Sequence, residues 1–164
     1  PSAVSVSGAE LVLCQLEIPI ETVRAIAQSA SGLLCVNTAP ARSLPAEVLE
    51  RADLLIMNES ERDALSEEIA DVHALVVVTL GAAGAKAYRS GHLVAEAQPP
   101  PVEVVDTVGA GDAFCGALVT ALLSGGSIAS ALKWACSAGA LATTRPGAQP
   151  SLPLAAEIDA VMRR

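Results

Sequence analysis

Short apolar runs alternate with helix-like segments through the first half of the chain. Each apolar run is four to six residues long, which is typical of a strand that is buried on both faces. The segments between them repeat apolar side chains every three or four positions, as Ile20, Val23 and Ala27 do. The pattern predicts strands at Leu11–Leu16, Leu33–Val36, Leu54–Met57 and Leu75–Leu80, and helices at Ile20–Ala30, Pro45–Arg51 and Asn58–Glu68.

This alternation predicts an α/β fold with a parallel, Rossmann-like sheet that is joined by right-handed crossovers and covered by helices. The second half of the chain follows a different pattern. Ser90-Gly91 between two extended segments is a hairpin signal, and three successive prolines, Pro99–Pro101, cannot donate to a central strand ladder. We expect a β-hairpin of Gly84–Arg89 and His92–Ala97, a strand at Val102–Val105, helices at Ala113–Leu123, Ile128–Ala142 and Leu154–Met162, and a loop at Arg145–Pro153.

The composition fits one α/β domain. Hydrophobic residues make up 52% of the 164 positions and aromatic residues only 2%, so the core must consist of Ala, Val, Leu and Ile. Such residues suit a parallel sheet that is covered on both faces. A formal net charge of −8 argues against a nucleic-acid partner, because phosphate backbones are bound by basic surfaces.

The four cysteines lie far apart in apolar runs, at positions 14, 35, 115 and 136. We expect reduced core thiols, which favours a cytoplasmic location. The chain has neither an apolar run of roughly 18 residues nor a signal-peptide pattern, so no membrane partner is expected. His73 and His92 are isolated, and both are expected at the surface.

The strongest candidate for chemistry is the stretch Asp106–Phe114, which reads D-T-V-G-A-G-D-A-F. Gly109 and Gly111 allow a tight turn at the start of a helix, where free N–H groups form a site for anions. Asp112 would stand at that site as a carboxylate able to abstract a proton, or simply as the N-cap of the helix. The stretch lacks the lysine and the third glycine of the common phosphate-binding fingerprints.

The same nine residues resemble the C-terminal signature of the ribokinase-like (PfkB) carbohydrate kinases. The resemblance implies a ribokinase-like fold and an ATP-dependent sugar kinase, in which Asp112 takes the proton from the sugar hydroxyl. These roles fit phosphoryl transfer, where the protein mostly positions groups and stabilises charge. The resemblance implies an anion hole for the transferred phosphoryl group that is formed by Gly109, Ala110 and Gly111.

Two further motifs have roles in binding ATP and Mg²⁺ by the same resemblance. Asn58 would lie near the phosphates and Glu61 would act on Mg²⁺ through metal-bound water, although the residues alone are explained as an N-cap and an acidic first turn. Thr79–Gly84 matches the T-L-G-x-x-G stretch that lines the nucleotide in the family; alone, it is an ordinary turn at a strand end. Cys136 occupies the position at which ribokinases often carry a nucleotide-facing histidine. The expected nucleotide contacts are Asn58, Thr79, Gly81, Gly84, Gly111 and Cys136.

Two stretches resemble ribokinases more than phosphofructokinase-type or adenosine kinases, which makes ribose the expected acceptor. In Gln15–Glu17, Glu17 would lie at the sugar side or form part of a solvated rim. The loop Arg145–Ser151 resembles the monovalent-cation loop of ribokinases and is otherwise a surface loop. The implied K⁺ ligands are Asp106, Ser151 and the carbonyl oxygens of Val108, Ala142, Arg145 and Gly147.

The resemblance covers nearly all of this chain but only the C-terminal half of a ribokinase. The N-terminal half of the family, with sugar contacts and a β-sheet lid, is expected to be absent, and Pro1 in place of Met suggests a processed or truncated start. The resemblance implies that the full-length protein forms a homodimer or that this chain pairs with the missing half. The crossover Glu59–Ala74 is shorter than is usual in the family. Two alternatives to a sugar kinase remain: a non-catalytic nucleotide-binding module and an inactive fragment.

Overall fold

The structure, a computed structural model, describes residues 6–163. The chain forms two compact units. Unit 1 consists of the chain up to Thr79 together with Ala87–Val94. Unit 2 consists of Leu80–Lys86 and the chain from Ala95 onward. The strands are β1 Leu11–Gln15, β2 Leu33–Asn37, β3 Leu54–Asn58, β4 Leu75–Thr79, β5 Ala85–Arg89 and β6 His92–Ala97. The α-helices are α1 Ile20–Ser29, α2 Ala46–Arg51, α3 Glu59–Ala64, α4 Ala110–Leu123, α5 Ile128–Ala142 and α6 Ala155–Met162.

Unit 1 is built on the four parallel strands that the apolar runs predict. β1 pairs with β2, β2 with β3 and β3 with β4, each in parallel register, with Cys35 opposite both Leu13 and Leu54. Leu34, Val36, Leu55 and Val77 are almost completely buried, as expected for strands covered on both faces. The predicted α/β fold and its parallel sheet are therefore confirmed.

The sheet continues through the predicted hairpin, in the order β1-β2-β3-β4-β5-β6. The two-residue turn between β5 and β6 has positive φ at both central positions, 49° at Ser90 and 75° at Gly91. This geometry is that of a type I′ turn, whose twist matches the twist of the strands on either side. The six-stranded sheet is accordingly mixed.

Unit 2 contains the three long helices, and its core consists mainly of small side chains. α4 packs on α5 and α5 packs on α6, so that the helices can approach closely through alanines. The N-cap of α5 is Ser127, whose side chain accepts a hydrogen bond from the Ser130 N–H. The buried residues of the three helices include Ala113, Ala117, Leu118, Ala131, Leu132, Ala135, Ala138 and Ile158.

One predicted strand is wrong. Residues 102–105 form no strand, and Val104 and Val105 are 59% and 61% exposed. The three prolines before them provide no N–H groups for a ladder. The segment is held instead by the N–H groups of Val105 and Asp106, which both donate to the Thr143 carbonyl oxygen at 2.8 and 3.1 Å.

Several predicted boundaries also differ from the structure. α3 ends at Ala64 rather than Glu68, and hydrogen-bonded turns follow it to residue 71. α4 begins at Ala110 rather than Ala113, because Gly109 is its N-cap. The loop expected at Arg145–Pro153 contains a short 3-10 helix at Gln149–Ser151.

The four cysteines are buried and none forms a disulfide. Burial raises the pKa of the Cys14 thiol and of the Cys136 thiol to about 11, because a thiolate is poorly solvated in an apolar core. Both histidines are exposed, as predicted. Within residues 6–163, no helix combines the length and the hydropathy that a membrane crossing needs.

Candidate active site

The turn at the start of α4 can be formed only by glycine. Gly109 is the N-cap of α4 and has φ +81°, in the left-handed region. A Cβ atom at this position would also lie 3.0 Å from the Cα atom of Ala148. The backbone N–H of Ala110 makes only a long 3.3 Å hydrogen bond, to the Thr107 carbonyl oxygen. This end of the helix therefore keeps weakly bonded N–H groups, which together with the helix dipole suit an anion.

Asp106 fixes the conformation of this turn. Its Oδ2 accepts a hydrogen bond from the Gly147 N–H at 2.8 Å, and its Oδ1 accepts one from the Val108 N–H at 3.0 Å. The pKa of the Asp106 carboxyl is lowered by these hydrogen bonds, first by Gly147, then by Val108 and Thr107. An ionised Asp106 thus ties the α4 turn to the loop that follows α5.

Asp112 is an exposed carboxylate in the first turn of α4. The alternative that Asp112 is the N-cap is wrong, since Gly109 holds that position. Among the residues that the structure describes, none donates a hydrogen bond to the Asp112 side chain. Asp112 lines a cavity of about 250 Å³, together with Gly116 and Thr120 of α4 and Trp134 of α5. The carboxylate is therefore free to contact a ligand in this cavity.

Gly111 and the loop after α5 complete this part of the site. A Cβ atom at Gly111 would meet nothing within 4 Å, so the space beside the helix start is open. Ser151 is fully buried, and its hydroxyl donates to the Ala148 carbonyl oxygen at 2.8 Å. The Arg145 side chain forms an ion pair with Glu157.

The predicted K⁺ ligands all belong to unit 2, and several are linked there by hydrogen bonds. The Asp106 carboxylate bonds to the N–H groups of Val108 and Gly147. Ala142 is the last residue of α5 and precedes Thr143, which accepts the Asp106 N–H. An ionised carboxylate, a buried hydroxyl and nearby carbonyls are the oxygen donors that a hard cation prefers. The donor set thus fits the predicted ion.

In unit 1, Asn58 and Glu61 form a complete capping box at the start of α3. The Asn58 Oδ1 accepts the Glu61 N–H at 2.8 Å, and the Glu61 Oε2 accepts the Asn58 N–H at 2.9 Å. Glu61 is only 8% exposed. The explanation of this motif as an N-cap with an acidic first turn is confirmed. The Glu61 Oε1 atom takes no part in the capping box.

Thr38 is a member of this cluster that the sequence analysis missed. Its fully buried hydroxyl lies 3.4 Å from the Glu61 Oε2 and 3.4 Å from the Ile56 carbonyl oxygen. Thr38 follows β2 and Glu61 follows β3, so the contact joins neighbouring strand ends. The Thr79 hydroxyl, at the end of β4, donates to the Met57 carbonyl oxygen at 3.3 Å. Thr38 could have been identified from the sequence by its position at the carboxyl end of a parallel strand.

The glycines of Thr79–Gly84 differ in their surroundings. Gly84 has φ +98°, and a Cβ atom there would lie 2.0 Å from the Ala97 carbonyl oxygen, so the turn itself requires glycine. Gly81 also has a positive φ of 56°, but a Cβ atom there would meet nothing within 4 Å. Only Gly81 is therefore open to a ligand by this criterion.

Two predicted contacts lie apart from these clusters. Cys136 is 4% exposed and its thiol donates to the Ala97 carbonyl oxygen at 3.7 Å, which does not favour direct contact with a nucleotide. Glu17 is exposed in the turn after β1. Across residues 6–163, no three His, Cys, Asp or Glu side chains converge in the manner of a metal site, so a divalent ion here would need ligands from substrate and water.

Comparison with known proteins places the chain in a family. The model of the pfkB family of carbohydrate kinases matches residues 2–155. The chain belongs to this family. The family resemblance of the stretch Asp106–Phe114 is therefore confirmed, together with the ribokinase-like fold.

The similar pfkB proteins include ribokinases of known sequence and structure. The ribokinase of Bacillus subtilis is 36% identical over 162 residues, which cover 93% of this chain and 55% of that protein. The ribokinase structure of Thermotoga maritima has a TM-score of 0.89 at 30% identity, over 97% of this chain and 58% of that one. The ribokinase of Arabidopsis thaliana, solved with ribose and ATP, has a TM-score of 0.83 at 28% identity, over 95% and 56%. The chain spans about half the length of the curated relatives it matches.

Proposed function

We propose that the chain supplies the catalytic base and the nucleotide site of an ATP-dependent sugar kinase, with ribose as the acceptor. The observation that carries the proposal is Asp112: an exposed carboxylate without a protein partner, at the start of a helix and in a cavity. Membership of the pfkB family and the ribose and ATP of the Arabidopsis thaliana structure support this assignment.

The first step of the proposed reaction is removal of a proton. Asp112 accepts the proton of a sugar hydroxyl, and the resulting oxygen attacks the γ-phosphorus of ATP while the bond to the leaving ADP oxygen breaks. General-base help of this kind contributes about 10²–10⁴ in rate. Asp112 accepts no hydrogen bond from residues 6–163, so both of its carboxylate oxygens are available to a sugar hydroxyl.

The second element is stabilisation of the transferred phosphoryl group. The N–H groups at Gly109, Ala110 and Gly111 stand at the start of α4, where the helix dipole is positive. The φ of +81° at Gly109 lets the turn lead directly into α4, and the hydrogen bond from the Gly147 N–H to Asp106 stabilises this turn. Positioning and charge stabilisation of this kind account for most of enzymatic phosphoryl transfer.

Two cations would assist these residues. K⁺ would be held by Asp106, Ser151 and the carbonyl oxygens of Val108, Ala142, Arg145 and Gly147, and it would supply positive charge to these oxygen donors. Mg²⁺ would reach the protein through water at Glu61, because Mg²⁺ keeps several waters and takes few carboxylates. When bound, Mg²⁺ neutralises charge on the phosphates. Asn58, Thr79 and Gly81 are proposed to contact the nucleotide.

A second candidate is a nucleotide-binding module that transfers no phosphate. Positioning of the acceptor supplies much of the rate of a two-substrate reaction, so a nucleotide site can bind Mg·ATP without transferring its phosphate. This candidate predicts binding of Mg·ATP with no ribose-dependent ADP release.

The test combines calorimetric binding of Mg·ATP in K⁺ buffer with detection of ribose phosphate by mass spectrometry. The proposal predicts both binding and product, and Asp112→Asn should lower the rate by about 10²–10⁴ while ATP still binds. Asp71→Asn is the matched control, since Asp71 is an exposed carboxylate in unit 1. Binding without product supports the second candidate. A folded chain that binds no ATP overturns both.

A further inference from the structure

A second cavity lies in unit 1, and none of the residues proposed for ATP, sugar or cations lines it. Its volume is about 270 Å³. It lies over the face of the sheet at β4 and β5, beneath the chain that follows α3. It is lined by Arg62, Ser66, Ile69, Val76, Val78 and Tyr88, among others.

The cavity follows from the short crossover between β3 and β4. Val76 and Val78 alternate along β4 and therefore point to the same face of the sheet. α3 has six residues, and turns replace a longer helix as far as residue 71. These turns bury Leu65 but only half-bury Ile69 and Val72. Val76 and Val78 are nevertheless buried, at 8% and 0% exposure, so the accessible apolar lining of the cavity includes the half-buried Ile69, Val72 and Tyr88.

The rim of the cavity carries hydrogen-bonding groups that the protein does not use. The hydroxyls of Ser66, Tyr88 and Ser90 form no hydrogen bond with other groups in the described part of the chain. The guanidinium of Arg62 contacts only its exposed neighbour Asp63, at 3.1 Å. Exposed ion pairs of this kind hold a side chain weakly, so Arg62 can turn to a ligand at little cost.

We propose that this cavity binds a small compound with an apolar ring and one carboxylate. The half-buried side chains of Ile69, Val72 and Tyr88 would contact the ring of the ligand, and the planar guanidinium of Arg62 would bind its carboxylate with two parallel N–H···O bonds. An apolar lining with a few polar groups to fix orientation is the usual composition of a small-molecule site. The cavity of about 270 Å³ has room for a single ring with a short substituent.

Benzoate is the probe for this site, observed by the amide shifts of the ¹⁵N-labelled chain. We expect shifts at Ser66, Val76 and Tyr88 at millimolar benzoate. Benzyl alcohol has the same ring without the charge and should bind about tenfold more weakly. Shifts elsewhere in the chain but not at these residues, or none at all, overturn the proposed site.

Three variants separate the roles of the charge and the cavity. Arg62→Met keeps the length of the side chain and should weaken benzoate binding about tenfold, whereas Arg89→Met, at an exposed arginine outside the cavity, should leave it unchanged. Ser66→Phe should fill the cavity from the exposed rim and abolish the shifts without disturbing the core. Equal benzoate affinity in wild type and Arg62→Met overturns the carboxylate class, and unchanged shifts in Ser66→Phe overturn the location.

Discussion

Glu61 in unit 1 and Asp112 in unit 2 hold the same position of a helix, the third residue after the N-cap, but their carboxylates have different surroundings. The N-cap of α3 is Asn58, whose side chain and N–H exchange hydrogen bonds with Glu61. The N-cap of α4 is Gly109, which has no side chain to take part in such an exchange. Gly109 has φ +81° where Asn58 has φ −89°, and its N–H does not donate to Asp112, whose carboxylate accepts no hydrogen bond from the residues that the structure describes.

The comparison shows how the N-cap decides what an acidic residue in the first turn can do. An asparagine cap uses the carboxylate to satisfy the helix start, so Glu61 stabilises the fold first. A glycine cap with positive φ leaves the carboxylate to the solvent or to a ligand. The same residue type at the same helical position is therefore structural in one unit and available for chemistry in the other.

The largest expected effect is that of removing the glycine cap. Gly109→Ala adds a Cβ atom at φ +81° and 3.0 Å from the Ala148 Cα atom, so it should lower the free energy of unfolding by about 2–3 kcal/mol. Gly125→Ala is the matched control, since Gly125 has φ +79° with nothing within 4 Å. It should cost only about 1 kcal/mol, from backbone strain alone. Equal losses in urea unfolding would show that the Ala148 contact does not matter.

The next prediction compares the two carboxylates directly. Glu61→Ala breaks the capping box and leaves the Asn58 N–H without its acceptor, so it should cost about 1–2 kcal/mol. Asp112→Ala removes no hydrogen bond from the described chain and should change stability by less than about 0.5 kcal/mol. Both are measured by urea unfolding.

Glu61→Gln sharpens this comparison, because glutamine can close a capping box without a charge. It should restore most of the stability that Glu61→Ala loses, while any Mg²⁺ dependence that passes through Glu61 stays weakened. Glu59→Ala, an exposed change in the same first turn, is the control. If Asp112→Ala destabilised the chain as much as Glu61→Ala does, the contrast between the two caps would be lost.

A smaller, pH-dependent effect is expected at Asp106, which supports the glycine cap. Its pKa is lowered in the folded chain by the N–H groups of Gly147 and Val108. A depressed carboxyl pKa stabilises the folded state above the unfolded pKa of about 3.9, and that stability is lost as the pH falls through the folded pKa. Asp106→Asn should therefore be less stable than wild type at neutral pH, and the difference should shrink below about pH 4. A difference between Asp106→Asn and wild type that is independent of pH would exclude the charge as its cause.

The sequence predicts regular elements better than it predicts contacts between them. The β1–β4 runs are unbroken and apolar, and Ser90-Gly91 specifies a type I′ turn, so strands and hairpin follow from local chemistry. Val102–Val105 has the composition of a strand but no partner to pair with, and pairing is not a local property. The residues of the capping box, Asn58 and Glu61, could be identified from the sequence. The cavity over β4 could not, because it depends on how much of the sheet the short crossover covers in the folded chain.

Thr38 shows the same limit inside the candidate site. Its hydroxyl contacts Glu61 from a different strand end, 23 positions away in sequence, and no spacing rule connects the two residues. The glycine cap of α4 could be anticipated from the sequence, because Gly109 is one of two glycines in a turn before a helix. Its contact with Ala148 could not, since that loop approaches only in the folded chain.

Thr38→Val should cost less stability than Glu61→Ala, and it tests whether the capping box depends on its buried neighbour. The two acceptors of the hydroxyl keep other donors: the Ile56 carbonyl oxygen accepts the Thr38 N–H at 2.9 Å, and the Glu61 Oε2 accepts the Asn58 N–H. Because no buried group loses its last partner and both lost contacts are long, at 3.4 Å, the cost should be only about 0.5–1 kcal/mol in urea unfolding. Thr22→Val on α1 is the control. A loss as large as that of Glu61→Ala would mean that Thr38, rather than the Asn58 cap, holds Glu61 in place.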